Sequence, residues 1–142
     1  MLVSTKGRYA LRIMLELGKC DPAQYMALPL IAEKQGISEK YLESIVSMLV
    51  KGGLVEGLRG KNGGYRLSRP LREYSVGEIL RLTEGSLAPV ACLENETNTC
   101  PRAGACNTLP MWEHLDELIN SYLDGVKLSD LLAETAGSGC QL

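Results

Sequence analysis

The amino terminus, M-L-V-S-T-K-G-R-Y, lacks an uninterrupted apolar segment and carries charge at Lys6 and Arg8. That excludes a secretory signal or a membrane span there, and the expected location is the cytoplasm with no membrane partner. Histidine is nearly absent, His114 being the only one in 142 residues. There is no acid–base pair, no nucleophile beside a base and no phosphate-cradling glycine motif, so the chain is not expected to be an enzyme. Internal repeats and low-complexity tracts are lacking as well. Cysteine is sparse and odd in number: five in all, with Cys92, Cys100 and Cys106 falling in one short stretch, C-L-E-N-E-T-N-T-C-P-R-A-G-A-C. In a reducing compartment such a set points away from a disulfide framework and toward metal, cluster or redox chemistry. Cys20, beside apolar residues at the end of the first expected helix, reads as a small core side chain, and Cys140 is assigned no role.

What is present is ordinary globular composition, 45% hydrophobic and 23% charged, which suits one packed unit with an extension. The net charge of -2 conceals an asymmetry. Residues 1–81 hold 13 Lys plus Arg against 8 Asp plus Glu, whereas residues 82–142 hold 2 against 9. A basic half joined to an acidic half suggests a polyanion-binding head and a separate regulatory or assembly portion.

Ala10, Ile13, Met14 and Leu17 recur at helical spacing over residues 5–19, with Ser4 or Thr5 available as a cap. L-P-L-I-A-E-K-Q-G predicts a short helix with Pro29 early and Gly36 at its end. Ser38 then caps S-E-K-Y-L-E-S-I-V-S-M-L-V-K, whose Leu42, Ile45, Val46 and Leu49 line one face. Two helices joined by Q-G-I-S outline a helix-turn-helix with the second helix as reader. L-V-E-G-L-R and Y-R-L-S-R alternate as short strands around G-K-N-G-G, which makes a wing. From Gly57 to Arg72 there are five basic residues and no acidic one, as expected of a loop lying against phosphates. Ser75 and Glu78 form a capping box that opens a fourth helix, closed by Gly85. The cysteine stretch has neither helical nor strand periodicity and reads as a loop. After Pro110 comes a helix with two apolar seams, one of Met111, Leu115, Leu118 and Tyr122, the other of Trp112, Leu115, Ile119 and Leu123. One seam can pack on its own subunit; the other fits a second copy in a two-fold dimer, whose expected interface is Met111, Trp112, Leu115, Leu118, Ile119 and Tyr122, with a folded-back tail as the alternative.

The fold expected is therefore mainly α with a small β-hairpin wing. Residues 1–85 form a winged helix-turn-helix DNA-binding domain, 86–108 a cysteine-bearing cluster loop, 109–132 a dimerisation helix with a following short helix, and 133–142 a flexible tail.

Four stretches, S-T-K-G-R-Y-A-L-R at 4–12, I-S-E-K-Y-L-E at 37–43, R-G-K-N-G-G-Y at 59–65 and the cysteine triplet before a Trp-bearing helix, resemble the Rrf2 family of bacterial transcription regulators. The resemblance runs from residue 1 to about 132, and the amino-terminal stretch is closest to the IscR and CymR branches. It implies a homodimer that binds double-stranded operator DNA and, in most branches, an iron–sulfur cluster in the loop.

A recognition helix points its amino-terminal residues at base edges, here Ser38, Glu39, Lys40, Glu43, Ser44 and Ser47. Glu43 is the informative one, because a carboxylate near phosphates is unfavourable unless it accepts from a cytosine amino group. The alternative is a solvent-facing Glu paired with Lys40 or an arginine. Tyr41 could offer its hydroxyl to a phosphate or pack between helices. In the wing, Arg59 and Lys61 flank glycines that allow close approach, and resemblance to IscR implies a minor-groove role for Arg59. Phosphate contacts fall to Ser4, Lys6, Arg8 and Tyr9.

For the cysteines, gaps of seven and five residues are wide for a zinc knuckle and suit a larger object. The resemblance implies an iron–sulfur cluster, 2Fe-2S or 4Fe-4S, on Cys92, Cys100 and Cys106. The first gap is longer than in IscR and NsrR and resembles the RirA pattern. IscR supplies a histidine where this chain has Leu109, and NsrR an aspartate near the amino terminus where it has Arg8, so neither fourth ligand transfers. His114 lies two helical turns beyond Cys106, roughly 12 Å of rise, and reads as a helix-face residue. Glu94, Glu96, Asn107, a carboxylate from a partner subunit or an exogenous ligand remain open. The competing expectation, drawn from the CymR branch, is a clusterless repressor controlled by thiol oxidation or by a regulatory partner protein.

Overall fold

Ser4 sits in extended backbone and its hydroxyl accepts from the Gly7 amide at 3.1 Å, which starts α1 (Thr5–Gly18). Capping of this kind satisfies an amide that a helix start leaves without a partner. In the computed structural model, which describes residues 2–134, the inward face of α1 is the expected Ala10, Ile13, Met14 and Leu17, all buried. Helix α2 (Leu28–Gln35) carries Pro29 in its first turn and stops at Gly36, whose φ of 66° lies in the left-handed region that glycine adopts without penalty. Arg12 of α1 donates to the Gln35 carbonyl at 3.3 Å and so covers the end of α2. Ser38 caps α3 (Glu39–Lys51) by accepting from the Tyr41 amide at 3.1 Å, and Leu42, Ile45, Val46 and Leu49 point into the core.

Strands β1 (Val55–Leu58) and β2 (Gly64–Leu67) pair antiparallel, with Val55 opposite Leu67 and Leu58 opposite Gly64. Residues 59–63 form the tip. Along the other edge of β2, Met26 and Tyr65 exchange two backbone hydrogen bonds of 2.9 Å each. A Cβ on Gly64 would collide with the Met26 carbonyl, so this approach requires glycine. At the root of the hairpin, the fully buried Tyr74 donates its hydroxyl to the Leu54 carbonyl at 2.7 Å and accepts from the Arg69 amide at 2.9 Å.

Helix α4 (Val76–Glu84) begins at Ser75, whose hydroxyl accepts from the Glu78 amide at 3.1 Å. Only this half of the expected capping box forms. The Glu78 carboxylate is taken by Arg69 at 2.6 Å, because a charge-assisted bond to a guanidinium outcompetes a neutral amide. The loop that follows contains two 3-10 turns, Ala91–Leu93 and Ala103–Ala105, each too short for residue periodicity to betray it.

Helix α5 (Leu109–Gly125) and helix α6 (Leu128–Glu134) complete the described chain. Between them the backbone returns to the start of α4. The Val76 amide donates to the Val126 carbonyl at 2.9 Å and the Leu128 amide to the Tyr74 carbonyl at 3.1 Å. Leu128 is fully buried in the same core as α1, α3 and α4. Helix α6 runs to Glu134 and so takes in the first two residues of the expected flexible tail. The rest of that tail, 135–142 with Cys140, lies outside the described residues. Cys20 packs half-buried against the core and, against the expectation of a simple core thiol, is disulfide-bonded. Among the described residues no helix is long and apolar enough to cross a membrane.

Candidate nucleic-acid interface and cysteine loop

Because the apolar seam of α3 is buried, its polar positions form a continuous outward strip: Ser38, Glu39, Lys40, Glu43, Ser44 and Ser47 are all exposed. The Ser44 hydroxyl donates to the Tyr41 carbonyl at 2.7 Å and the Ser38 hydroxyl serves the cap, leaving lone pairs on both to accept from a ligand. Among the described residues Glu43 has no ion-pair partner. Tyr41 packs against the core beside α1, which is one of the two roles open for it. It meets Tyr9 edge-on with ring centroids 5.9 Å apart, and Arg12 lies 4.8 Å over Tyr9 on the other side.

At the wing tip Arg59 and Lys61 are exposed and, among the described residues, unpaired. Two others of the basic run are less available than its composition suggests. Arg66 pairs with Glu56 across the hairpin at 3.1 Å and lies over the Tyr25 ring, while Arg69 pairs with Glu78 and lies over Tyr74. Wing, α3 and the start of α2 enclose an open cleft of about 710 Å³ whose lining includes Ser47, Arg59 and Lys61. Val50 and Leu58 also line it and are 38% and 49% exposed. The sequence reading passed over these two apolar residues. Strand alternation phased on buried Val55 places Leu58 on the outward side and was the available signal. Near the amino terminus Arg8 is exposed and Lys6 half-buried, but the Ser4 hydroxyl is committed, donating to the Glu84 carboxylate at 2.6 Å. In this arrangement Ser4 ties α1 to the end of α4.

The three loop cysteines are free, half-buried thiols. Cys92 lies in the first 3-10 turn, and the Cys100 amide is held by the Asn98 side chain at 2.9 Å. Cys106 Sγ lies 3.3 Å from the Thr108 hydroxyl. That hydrogen bond, backed by the Thr108 and Leu109 amides and the charge of Arg102, holds the Cys106 thiol below its ordinary range. As donors the thiolates fit soft iron. Among the described residues no three His, Cys, Asp or Glu side chains converge on a single metal-ion position, whereas the cysteines of a cluster are divided among its irons and need no such convergence. Glu94 and Glu96 face Glu113, Asp116 and Glu117 of α5 across an open cleft of about 590 Å³. His114 is exposed on α5.

Helix α5 divides its seams cleanly. Ile119 and Leu123 pack on their own core, whereas Met111, Leu115, Leu118 and Tyr122 are 54%, 37%, 54% and 71% exposed. Ile119 therefore leaves the expected dimer face, and half-buried Trp112 sits at its edge. The inward side is fixed by a contact the sequence did not suggest. Arg81 of α4 bonds both carboxylate oxygens of Asp124, at 2.7 and 2.9 Å, and the Asn120 side chain at 2.7 Å. The Arg81 guanidinium holds the Asp124 carboxyl below the usual range.

The sequence profile of the Rrf2 family, described as an iron-dependent transcriptional regulator, matches residues 3–134. The chain belongs to the Rrf2 family. Among Rrf2 relatives it is 37% identical over 137 residues to the HTH-type transcriptional regulator CymR of Bacillus subtilis, covering 96% of this chain and 94% of CymR. It is 38% identical over 134 residues to the HTH-type transcriptional regulator IscR of Aliivibrio salmonicida, covering 94% of this chain and 79% of IscR. The solved structure of the global cysteine regulator CymR of B. subtilis superposes with a TM-score of 0.76 at 34% identity, covering 94% of this chain and 98% of that one. That of T. potens IscR gives 0.74 at 35%, covering 95% and 88%. The Rrf2 fold here is thus the winged helix, and the protein is a DNA-binding transcription regulator, not an enzyme.

Proposed function

We propose that this Rrf2 protein acts as a dimer whose operator binding is governed by an iron–sulfur cluster on Cys92, Cys100 and Cys106. The observation that carries the reading is the grouping of three free thiols in one loop immediately before α5, the helix that bears the exposed apolar seam. A bound cluster supplies reversible redox chemistry and lability toward oxygen, nitric oxide or iron scarcity. The chain's own part is to join loop to reader. Residues of α3 meet base edges, Arg59 and Lys61 of the wing meet the backbone and minor groove, and Met111, Leu115, Leu118 and Tyr122 set the distance between two heads. A loop that changes order beside α5 alters operator affinity only by the difference in affinity of its two states. The protein would work in the cytoplasm.

A second reading, favoured by the likeness to the cysteine regulator CymR of B. subtilis, is a clusterless repressor governed by thiol oxidation or a partner protein. The visible spectrum of anaerobically purified protein, with iron, sulfide and zinc quantified per chain, separates them. Charge-transfer bands with matching iron and sulfide, lost in Cys92→Ala, are expected. A colourless protein without iron or sulfide after attempted reconstitution would transfer the assignment to the second reading.

A further inference from the structure

Tyr74 is the bulkiest fully buried side chain in the core, and it is a tyrosine where a phenylalanine would fill nearly the same space. A buried hydroxyl must be hydrogen-bonded or it destabilises the fold. Here its two bonds go to the two ends of one element. The Leu54 carbonyl, which accepts at 2.7 Å, enters the wing, and the Arg69 amide, which donates at 2.9 Å, leaves it. Arg69 closes the same root from outside, its guanidinium over the Tyr74 ring and on the Glu78 carboxylate of α4.

The main chain of Tyr74 faces the opposite way. Its carbonyl accepts from the Leu128 amide, and two residues on, the Val76 amide donates to the Val126 carbonyl. One residue thus joins the wing root on its side-chain end to the junction of α5 and α6 on its backbone end. Met26 pins β2 at Tyr65 and passes close to Gly64 at the tip end of the strand, whereas at the root the Leu54 carbonyl also accepts from the Ser68 amide at 3.2 Å, so the Tyr74 hydroxyl adds to a backbone closure already there.

We propose that Tyr74 is the positioning residue of the wing: its hydroxyl clamps both ends of the hairpin and thereby sets where Arg59 and Lys61 meet DNA. Tyr74 itself touches no nucleic acid. The inference rests on the wing reading given above, and the test keeps the two apart.

The probe is a duplex selected from a random-sequence pool by the unaltered protein. Binding is measured for the unaltered protein, Tyr74→Phe, Arg59→Ala and the double variant, on that duplex and on versions changed under the wing or under α3. Tyr74→Phe keeps the ring and is expected to weaken binding about three- to tenfold, the size of one or two hydrogen bonds at the root. Discrimination should fall only at base pairs under the wing. In the double variant the losses should not add, because a misplaced wing no longer delivers Arg59. Additive losses, or equal loss of discrimination under α3 and wing, would overturn the clamp. No effect of Arg59→Ala in the unaltered protein would instead remove the wing reading, and this inference with it. Should Tyr74→Phe not fold, hydrogen exchange on the unaltered protein decides. The Arg69 amide should be protected like that of Ile45 in α3; exchange as fast as Asn62 at the tip would overturn the proposal.

Discussion

Among the individual side chains, the division of labour on the DNA face follows from which charges are already used. Arg66 and Arg69 are neutralised by Glu56 and Glu78, so each adds little to attraction for a polyanion. Lys61 has no such partner among the described residues and sits at the exposed tip. Replacing it with alanine should therefore weaken binding to all duplexes alike and reduce the slope of log affinity against log salt by about 1. Titration of a labelled duplex at several salt concentrations measures this. An unchanged slope would place Lys61 off the DNA. Glu43 behaves in the opposite sense, since a carboxylate tolerated at a phosphate-rich surface has value only where it finds a donor.

Where elements meet, the Arg81–Asp124 pair joins the reading domain to the helix that carries the apolar seam. Asp124 has its carboxyl pKa lowered in the folded protein, so its contribution is present above the unfolded carboxylate range near 4 and is lost as pH falls below it. The pair is about half exposed, so Asp124→Asn should cost roughly 0.5–1 kcal/mol at neutral pH. The cost should shrink as pH falls through the lowered range of the folded carboxyl. Urea unfolding of the two proteins across that range tests it. A constant difference would mean that the side chain acts through packing.

Contacts of this class also mark the limit of what sequence discloses. Helix bounds were legible because Ser4, Ser38 and Ser75 cap and Gly36 terminates, all through bonds made within four residues of chain. The split of α5 into two seams was legible from its period, with Ile119 beside Leu123 in both sequence and structure, although which seam faces the core was not. The partners Arg69–Glu78 and Arg81–Asp124 depend on how helices dock, and nothing local announces them. For the site, the exposed strip on α3 followed from its buried seam, whereas the placement of the cysteines depends on loop backbone geometry that no periodicity encodes.

For the whole molecule, the exposed seam of α5 needs a cover. Methionine, leucine and tyrosine spaced along one face are what a two-fold helix pair buries. Leu118→Asp should convert a dimer to a monomer by light scattering and, by removing the second head, lower affinity for a two-fold duplex by at least tenfold. Retention of the dimer would mean that this face serves another purpose.

Leu128, buried among residues of α1, α3 and α4, also dictates an order of events during synthesis. A ribosome makes it after every one of the loop cysteines. A nascent chain therefore cannot complete the core it shares with α1, α3 and α4 until the cysteine loop has already been translated.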